Sequence, residues 1–152
     1  MTNLITRAGV AAIALMFVVG TWSVAQQKTP EEEIRQVLQA QVDAWNFGDL
    51  ESFMAGYWKS PELTFFSNAA ETKGWQPTLD RYKQRYQGEG HAMGKLDFPA
   101  LQITVLSNDA AFVWGQFHLK MPDGKEPHGM FTLVLRKFPE GWKIVHAHSS
   151  EE

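Results

Sequence analysis

The chain contains no cysteine. Disulfides are therefore excluded, and so is anchoring through a lipid-modified cysteine. No internal repeat and no low-complexity segment is present. No basic stripe exists either: Lys and Arg are scattered, and Arg81, Lys83 and Arg85 form the densest group. With a formal net charge of −3, such a chain is a poor partner for nucleic acid or an anionic membrane surface. No apolar run reaches the roughly 20 residues that a membrane-spanning helix needs. What remains is a length of 152 residues, suited to one compact domain.

The first 25 residues have the pattern of an export signal rather than of a fold. Arg7 supplies a short positive region, residues 9–20 form a small and apolar run, and Ser23-Val24-Ala25 places small residues where a signal peptidase cuts. The pattern predicts a secretory signal peptide over residues 1–25, cleavage after Ala25 and a periplasmic or secreted product with no membrane attachment. Without Arg7 the balance is 13 basic against 17 acidic residues, a net charge of −4. An exported chain without disulfides is stabilised by its core alone.

Residues 26–29 read as a linker, and the domain is expected over residues 30–150. Thr29-Pro30-Glu31-Glu32 has the composition of a capping box with proline in the first turn. Ile34, Val37, Leu38, Val42 and Trp45 follow at helical spacing until Gly48. Asp49 caps a short second helix with Leu50, Phe53, Met54 and Tyr57 inward. Pro61 bars its continuation, and residues 63–66 make a short strand. A third helix begins after Gly74, with Trp75, Leu79, Tyr82 and Tyr86 on one stripe. From Lys95 the period changes to that of strands, over roughly 95–107, 110–121, 128–138 and 142–149, separated by turn signals such as Pro122-Asp123-Gly124. Short links imply hairpins, hence an antiparallel sheet, and helices preceding such a sheet make an α+β domain.

The last strand carries the most chemistry. Strict alternation places Trp142, Ile144, His146 and His148 on one face. Two apolar anchors followed by two imidazoles would make a wall that passes from core to polar pocket. Both faces of the sheet look apolar. Phe112, Trp114 and His118 share one face of the strand 110–121, while Val113, Phe117 and Leu119 share the other. One face must cover the helices, so the second predicts a partner subunit and a homodimer.

Several pieces occur in order: Trp45-Asn46-Phe47-Gly48-Asp49-Leu50, Gly74-Trp75, Arg81-Tyr82 with Tyr86, residues 93–98, Asp109-Ala110-Ala111, residues 129–133, and the terminal residues 142–149. Together they resemble the DUF4440 / SnoaL-like branch of the nuclear transport factor 2-like (NTF2-like) superfamily. The terminal Trp-x-x-Val-His-x-His is also similar to the association domain of calcium/calmodulin-dependent protein kinase II. The resemblance implies a cone-shaped α+β fold: three N-terminal helices packed on a strongly bent antiparallel sheet, a pocket inside the cone, and dimerisation through the outer sheet face.

The resemblance also bears on chemistry. Ketosteroid isomerases of this superfamily need a carboxylate base, whose position falls near Phe65, Phe66 or Ser67, and a protonated acid, whose position falls near Thr132 or Leu133. No carboxylate stands at either place, which argues against isomerase chemistry. Scytalone dehydratase-like catalysis uses histidine and tyrosine, so a dehydratase, cyclase or hydrolase remains open. His146 and His148 are the candidate catalytic groups. The expected pocket is aromatic and His-lined, with Trp45, Tyr57, Phe65, Tyr82 and Tyr86 from the segments before Lys95. Trp114, His118, Thr132, His146 and His148 come from the strands. The expected ligand is a small hydrophobic or aromatic molecule. His118 and His128 could join the terminal pair at a metal, but no close Asp or Glu accompanies His146 and His148, so neither metal nor cofactor is expected. Arg81 could reach an anionic ligand, or lie on a solvated face with Lys83 and Arg85. Gly129 is expected to serve close strand packing. The alternative function is an association module that uses the outer sheet face.

Overall fold

The computed structural model describes residues 27–90 and 93–152. The expected signal peptide, residues 1–25, lies outside them. Helix α1 spans Pro30–Phe47. The Thr29 hydroxyl accepts from the Glu32 amide at 3.2 Å, and the Thr29 amide donates to the Glu32 carboxylate at 2.8 Å. This reciprocal pair satisfies two amides that the first turn would leave unpaired. Gly48 ends the helix with a φ of 87°, a left-handed conformation costly for a residue with a Cβ. The Asp49 carboxylate accepts from Ser52 and starts the short helix α2, Leu50–Met54.

Strands β1 (Thr64–Ser67) and β2 (Ala70–Lys73) form a tight hairpin, with Asn68 at a φ of 52°. β2 has no counterpart in the apolar pattern, because Ala70-Glu71-Thr72-Lys73 is almost wholly exposed. Helix α3 spans Trp75–Tyr86. Strands β3 (Lys95–Ser107), β4 (Ala110–Lys120), β5 (His128–Phe138) and β6 (Gly141–Glu151) then run as an antiparallel meander.

The six strands lie in the order β2-β1-β6-β5-β4-β3, and β1 runs parallel to β6. The α+β class holds, with three helices, but the expected strongly bent antiparallel cone does not. The sheet is mixed, ends at two free edges and is neither strongly curled nor closed. The physical reason is in the pairing. β1 enters beside β6 in the same direction, and β2 then caps β1 as an exposed edge rather than returning to β3. Pro99 sits in the other edge strand, where a missing amide hydrogen costs no central ladder bond.

The core lies between the helices and one sheet face. Ile34, Leu38, Leu50, Met54, Leu63, Leu135 and Ile144 are essentially inaccessible. Each such side chain contributes about 1.5–3 kcal/mol relative to an exposed one. Phe131, Leu133 and Leu135 of β5 face this core, as do Ala111, Val113 and Leu119 of β4.

A β-bulge decides the faces of β6. Leu135 pairs with Ile144 and Val134 pairs with His146, so Val145 has no partner in β5. Trp142 and Ile144 are buried, but beyond the bulge it is Ala147 that is buried. His146 and His148 therefore leave the face that carries Trp142 and Ile144, contrary to strict alternation. An extra residue in one strand reverses the faces of everything after it.

Candidate functional site

Between the helices and the inner sheet face lies an open cavity of about 450 Å³. Its deep walls follow from the elements just described. Leu38, Gln41 and Trp45 come from one stripe of α1, Phe53 from α2, Tyr82 and Tyr86 from α3, and Leu133 and Ala147 from the sheet. Met121, Pro122, Asp123 and Lys125, after β4, border its mouth.

The lining is an aromatic cluster. Trp45 meets Phe53 at 5.2 Å and Tyr86 at 4.7 Å, both edge to face. Tyr82 meets Phe53 at 5.3 Å and Phe65 at 5.6 Å in the same manner. Edge-to-face contacts match the positive rim of one ring to the negative face of the next. Phe98 packs on Phe131 at 4.9 Å on the β3 side.

Polar groups inside this cluster are few and mutually bonded. Gln41 is 3% exposed and donates to the Phe53 carbonyl at 3.1 Å. The Tyr57 hydroxyl shares hydrogen bonds with Tyr82 and Gln41. Burial pushes the Tyr57 phenol up to about 12 and holds Tyr82 and Tyr86 above their usual range. At neutral pH these phenols stay protonated. They can donate a hydrogen bond to a bound molecule but cannot serve as bases. The two carboxylates of the lining sit at its mouth and are engaged, Glu151 with Arg85 and Asp123 with Lys125. Trp45 directs its indole N–H out of the cavity, to the Gly94 carbonyl at 3.0 Å.

Five of the expected pocket residues converge here: Trp45, Tyr57, Phe65, Tyr82 and Tyr86. The others take different places. Trp114, Thr132 and His148 stand side by side on the opposite face of the sheet, in one row across β4, β5 and β6. His148 is one of the residues that border the cavity, and its ring meets Phe66 edge to face at 6.0 Å. His146 lies against the same Phe66 ring at 5.3 Å, and its Nδ1 is 2.6 Å from the Thr64 hydroxyl. Burial and the neighbouring His148 both depress the His146 pKa. His118 is also on the outer face, between Asp97 at 3.7 Å and Glu126 at 3.3 Å, with His128 directly opposite. Among the described residues phenols hold the deep wall, and the two imidazole rings lie against Phe66. The cause is the single unpaired residue Val145.

Sequence reasoning missed Gln41, Phe98, Phe131 and Arg85 as lining residues. Gln41 was detectable, since Ile34, Leu38, Gln41 and Trp45 form one buried stripe and a polar residue within such a stripe needs an internal partner. Phe98 and Phe131 meet only through the sheet and leave no local signal.

The SnoaL-like domain family matches residues 34–151. None of the curated proteins matches the chain. Among solved structures, an NTF-2 like protein of unknown function from Shewanella oneidensis MR-1 is similar at 41% identity and a TM-score of 0.74, over 80% of this chain and 99% of that one. An NTF2-like superfamily protein from Salmonella enterica serovar Typhimurium LT2 is similar at 22% identity and a TM-score of 0.64, over 80% and 90% of the two chains. A putative calcium/calmodulin dependent protein kinase II association domain from Xanthomonas campestris is similar at 16% identity and a TM-score of 0.63, over 85% and 91%. The last two likenesses speak to the fold alone.

Proposed function

This chain belongs to the SnoaL-like domain family of the NTF2-like superfamily, and on that premise we propose that it binds a small hydrophobic or aromatic molecule in the cavity between its helices and its sheet. The cavity itself supports this. A space of about 450 Å³ with an aromatic lining and a few convergent polar groups has the size and character of a small-molecule site. The hydrogen bond between Tyr57 and Tyr82 uses one of their two O–H protons, and the other would fix the orientation of a ligand by donating to it. Among the described residues no carboxylate reaches the deep end, so the geometry favours binding over ketosteroid-isomerase-type proton transfer. Export to the periplasm or the medium belongs to the same proposal and rests on the sequence of residues 1–25.

Native mass spectrometry of the purified protein tests it. The expected result is a co-purifying apolar molecule that leaves on denaturation, with quenching of Trp45 fluorescence when it is restored. A protein that carries nothing, and whose fluorescence no aromatic compound alters, would overturn the proposal.

A second reading, a homodimeric association module, draws on a different surface. Trp114 and Met130 on the outer face are 39% and 41% exposed. Large apolar side chains there form a patch that a second copy would cover. The two readings are compatible, because cavity and patch lie on opposite faces of the sheet.

A further inference from the structure

Arg81 and Arg85 stand four residues apart on α3, so both side chains leave the same face of the helix. Both line the cavity. The Arg81 guanidinium lies 6.0 Å from the centre of the Phe65 ring, and that of Arg85 lies 5.5 Å from the Tyr86 ring. Lys83, between them in sequence, instead bonds Glu51. The basic group of α3 is therefore split: one member serves a surface ion pair and two border the cavity.

The charges of the lining do not cancel. Lys125 is matched by Asp123 at 3.0 Å, and Arg85 by Glu151 at 3.1 Å. Arg81 donates to the neutral Thr72 hydroxyl at 2.9 Å and, among the described residues, forms no salt bridge. A guanidinium has five N–H donors and stays charged at any ordinary pH. The cavity lining thus carries one uncompensated positive charge in a chain whose formal net charge is −3. That charge is half-buried against an aromatic ring, where water competes for it less than on an open surface.

We propose that the cavity selects molecules with an apolar, mainly aromatic body and a single anionic head, such as a carboxylate or sulfonate, with the head on Arg81 and the body among Trp45, Tyr82 and Phe131. This inference rests on the small-molecule reading and adds the charge of the ligand to it. A planar guanidinium accepts such a head through paired N–H donors, a charge-assisted geometry stronger than a neutral hydrogen bond. Glu151 competes with the head for the same corner of the mouth, because it draws on Arg85.

Two fluorescent probes of nearly identical shape test the proposal: anilinonaphthalene sulfonate, an anion, and N-phenylnaphthylamine, its uncharged counterpart. Both are expected to bind the unaltered protein. Arg81→Gln should weaken the sulfonate about tenfold and leave the amine within about twofold. Glu151→Gln should tighten the sulfonate alone. In the unaltered protein, added salt should weaken the sulfonate and leave the amine unchanged, a readout that needs no variant to fold. If Arg81→Gln affects both probes equally, or neither, or if salt fails to separate them, the anionic head is wrong and the cavity reading stands. If neither probe binds the unaltered protein, the cavity reading itself fails.

Discussion

The Thr64 hydroxyl lies 2.6 Å from Nδ1 of His146, across the parallel pairing of β1 and β6, on the sheet face turned away from the helices. Either group can donate while the imidazole is neutral. A protonated ring keeps only the donor role, and it is disfavoured further by burial and by His148.

This sets a pH dependence with a definite sign. The folded pKa of His146 is depressed below its ordinary value of 6.5. Its contribution to stability is therefore complete above that value and is lost as pH falls through the lower, folded value. Urea unfolding followed from about pH 7 to about pH 5 should show a midpoint that falls with acidification, more steeply than in His146→Asn. Equal slopes for the two proteins would remove His146 as the cause.

The bulge at Val145 makes an unusual expectation about deletions. Removing Val145 leaves the partners on both sides of it in register, so the chain should still fold, with a loss of no more than about 2 kcal/mol. Removing Ala147 instead turns His148 toward the core and Ser149 outward, and should abolish folding. Circular dichroism and thermal melts of the two deletions decide this. Equal tolerance would mean that the bulge does not control the faces.

Gly129 of β5 is pressed against the backbone of β6. A Cβ added there would collide with the Ser150 carbonyl oxygen, a group that cannot rotate away. Gly129→Ala should cost at least about 3 kcal/mol, seen as a lower urea midpoint. Gly124, at a turn with open space around it, has a φ of 83°, so its replacement by alanine should cost only the smaller backbone penalty of about 1 kcal/mol.

Gln41 has a structural duty and a place in the site. Gln41→Leu leaves the Tyr57 hydroxyl with one partner fewer in a buried setting, at a cost of about 1 to 2 kcal/mol. Tyr57→Phe in the same protein removes the hydroxyl that lost Gln41 but also takes a partner from Tyr82, so the losses of the two single variants should not add. A double-mutant cycle by denaturant unfolding measures the coupling. Strict additivity would show that the two side chains act independently.

The proposed dimer depends on the outer face. Trp114→Lys together with Met130→Glu should leave the fold unchanged by circular dichroism and halve the mass seen by light scattering at micromolar concentration. A protein that is already a monomer before substitution would end the dimer proposal.

Much of the architecture was legible without coordinates. The capping box at Thr29, the left-handed stop at Gly48, the stripe of α1 and the long strands from Lys95 all rest on interactions between residues close in the chain, so their signals are local. Of the five aromatic cavity candidates, Trp45, Tyr82 and Tyr86 were legible for the same reason, since helical spacing places them on inward faces, whereas Phe65 lies on strand β1 and Tyr57 beyond the end of α2. The strand β2 was not, because its exposed side chains have no apolar period.

By itself the sequence determined the α+β class, the start of each helix, the antiparallel meander and the membership of the family, whereas α2 ends at Met54, short of the Tyr57 that its spacing had included. Only the tertiary structure decided that β1 joins β6 in parallel, that the sheet stays open, that the imidazoles face outward and that Arg81 borders the cavity. Helix periods and hairpins are settled by neighbours in the chain. A bulge or a parallel pairing is settled between strands far apart in sequence. Val145 has no local mark that it lacks a partner, and without knowing that, alternation assigns every residue after it to the wrong face.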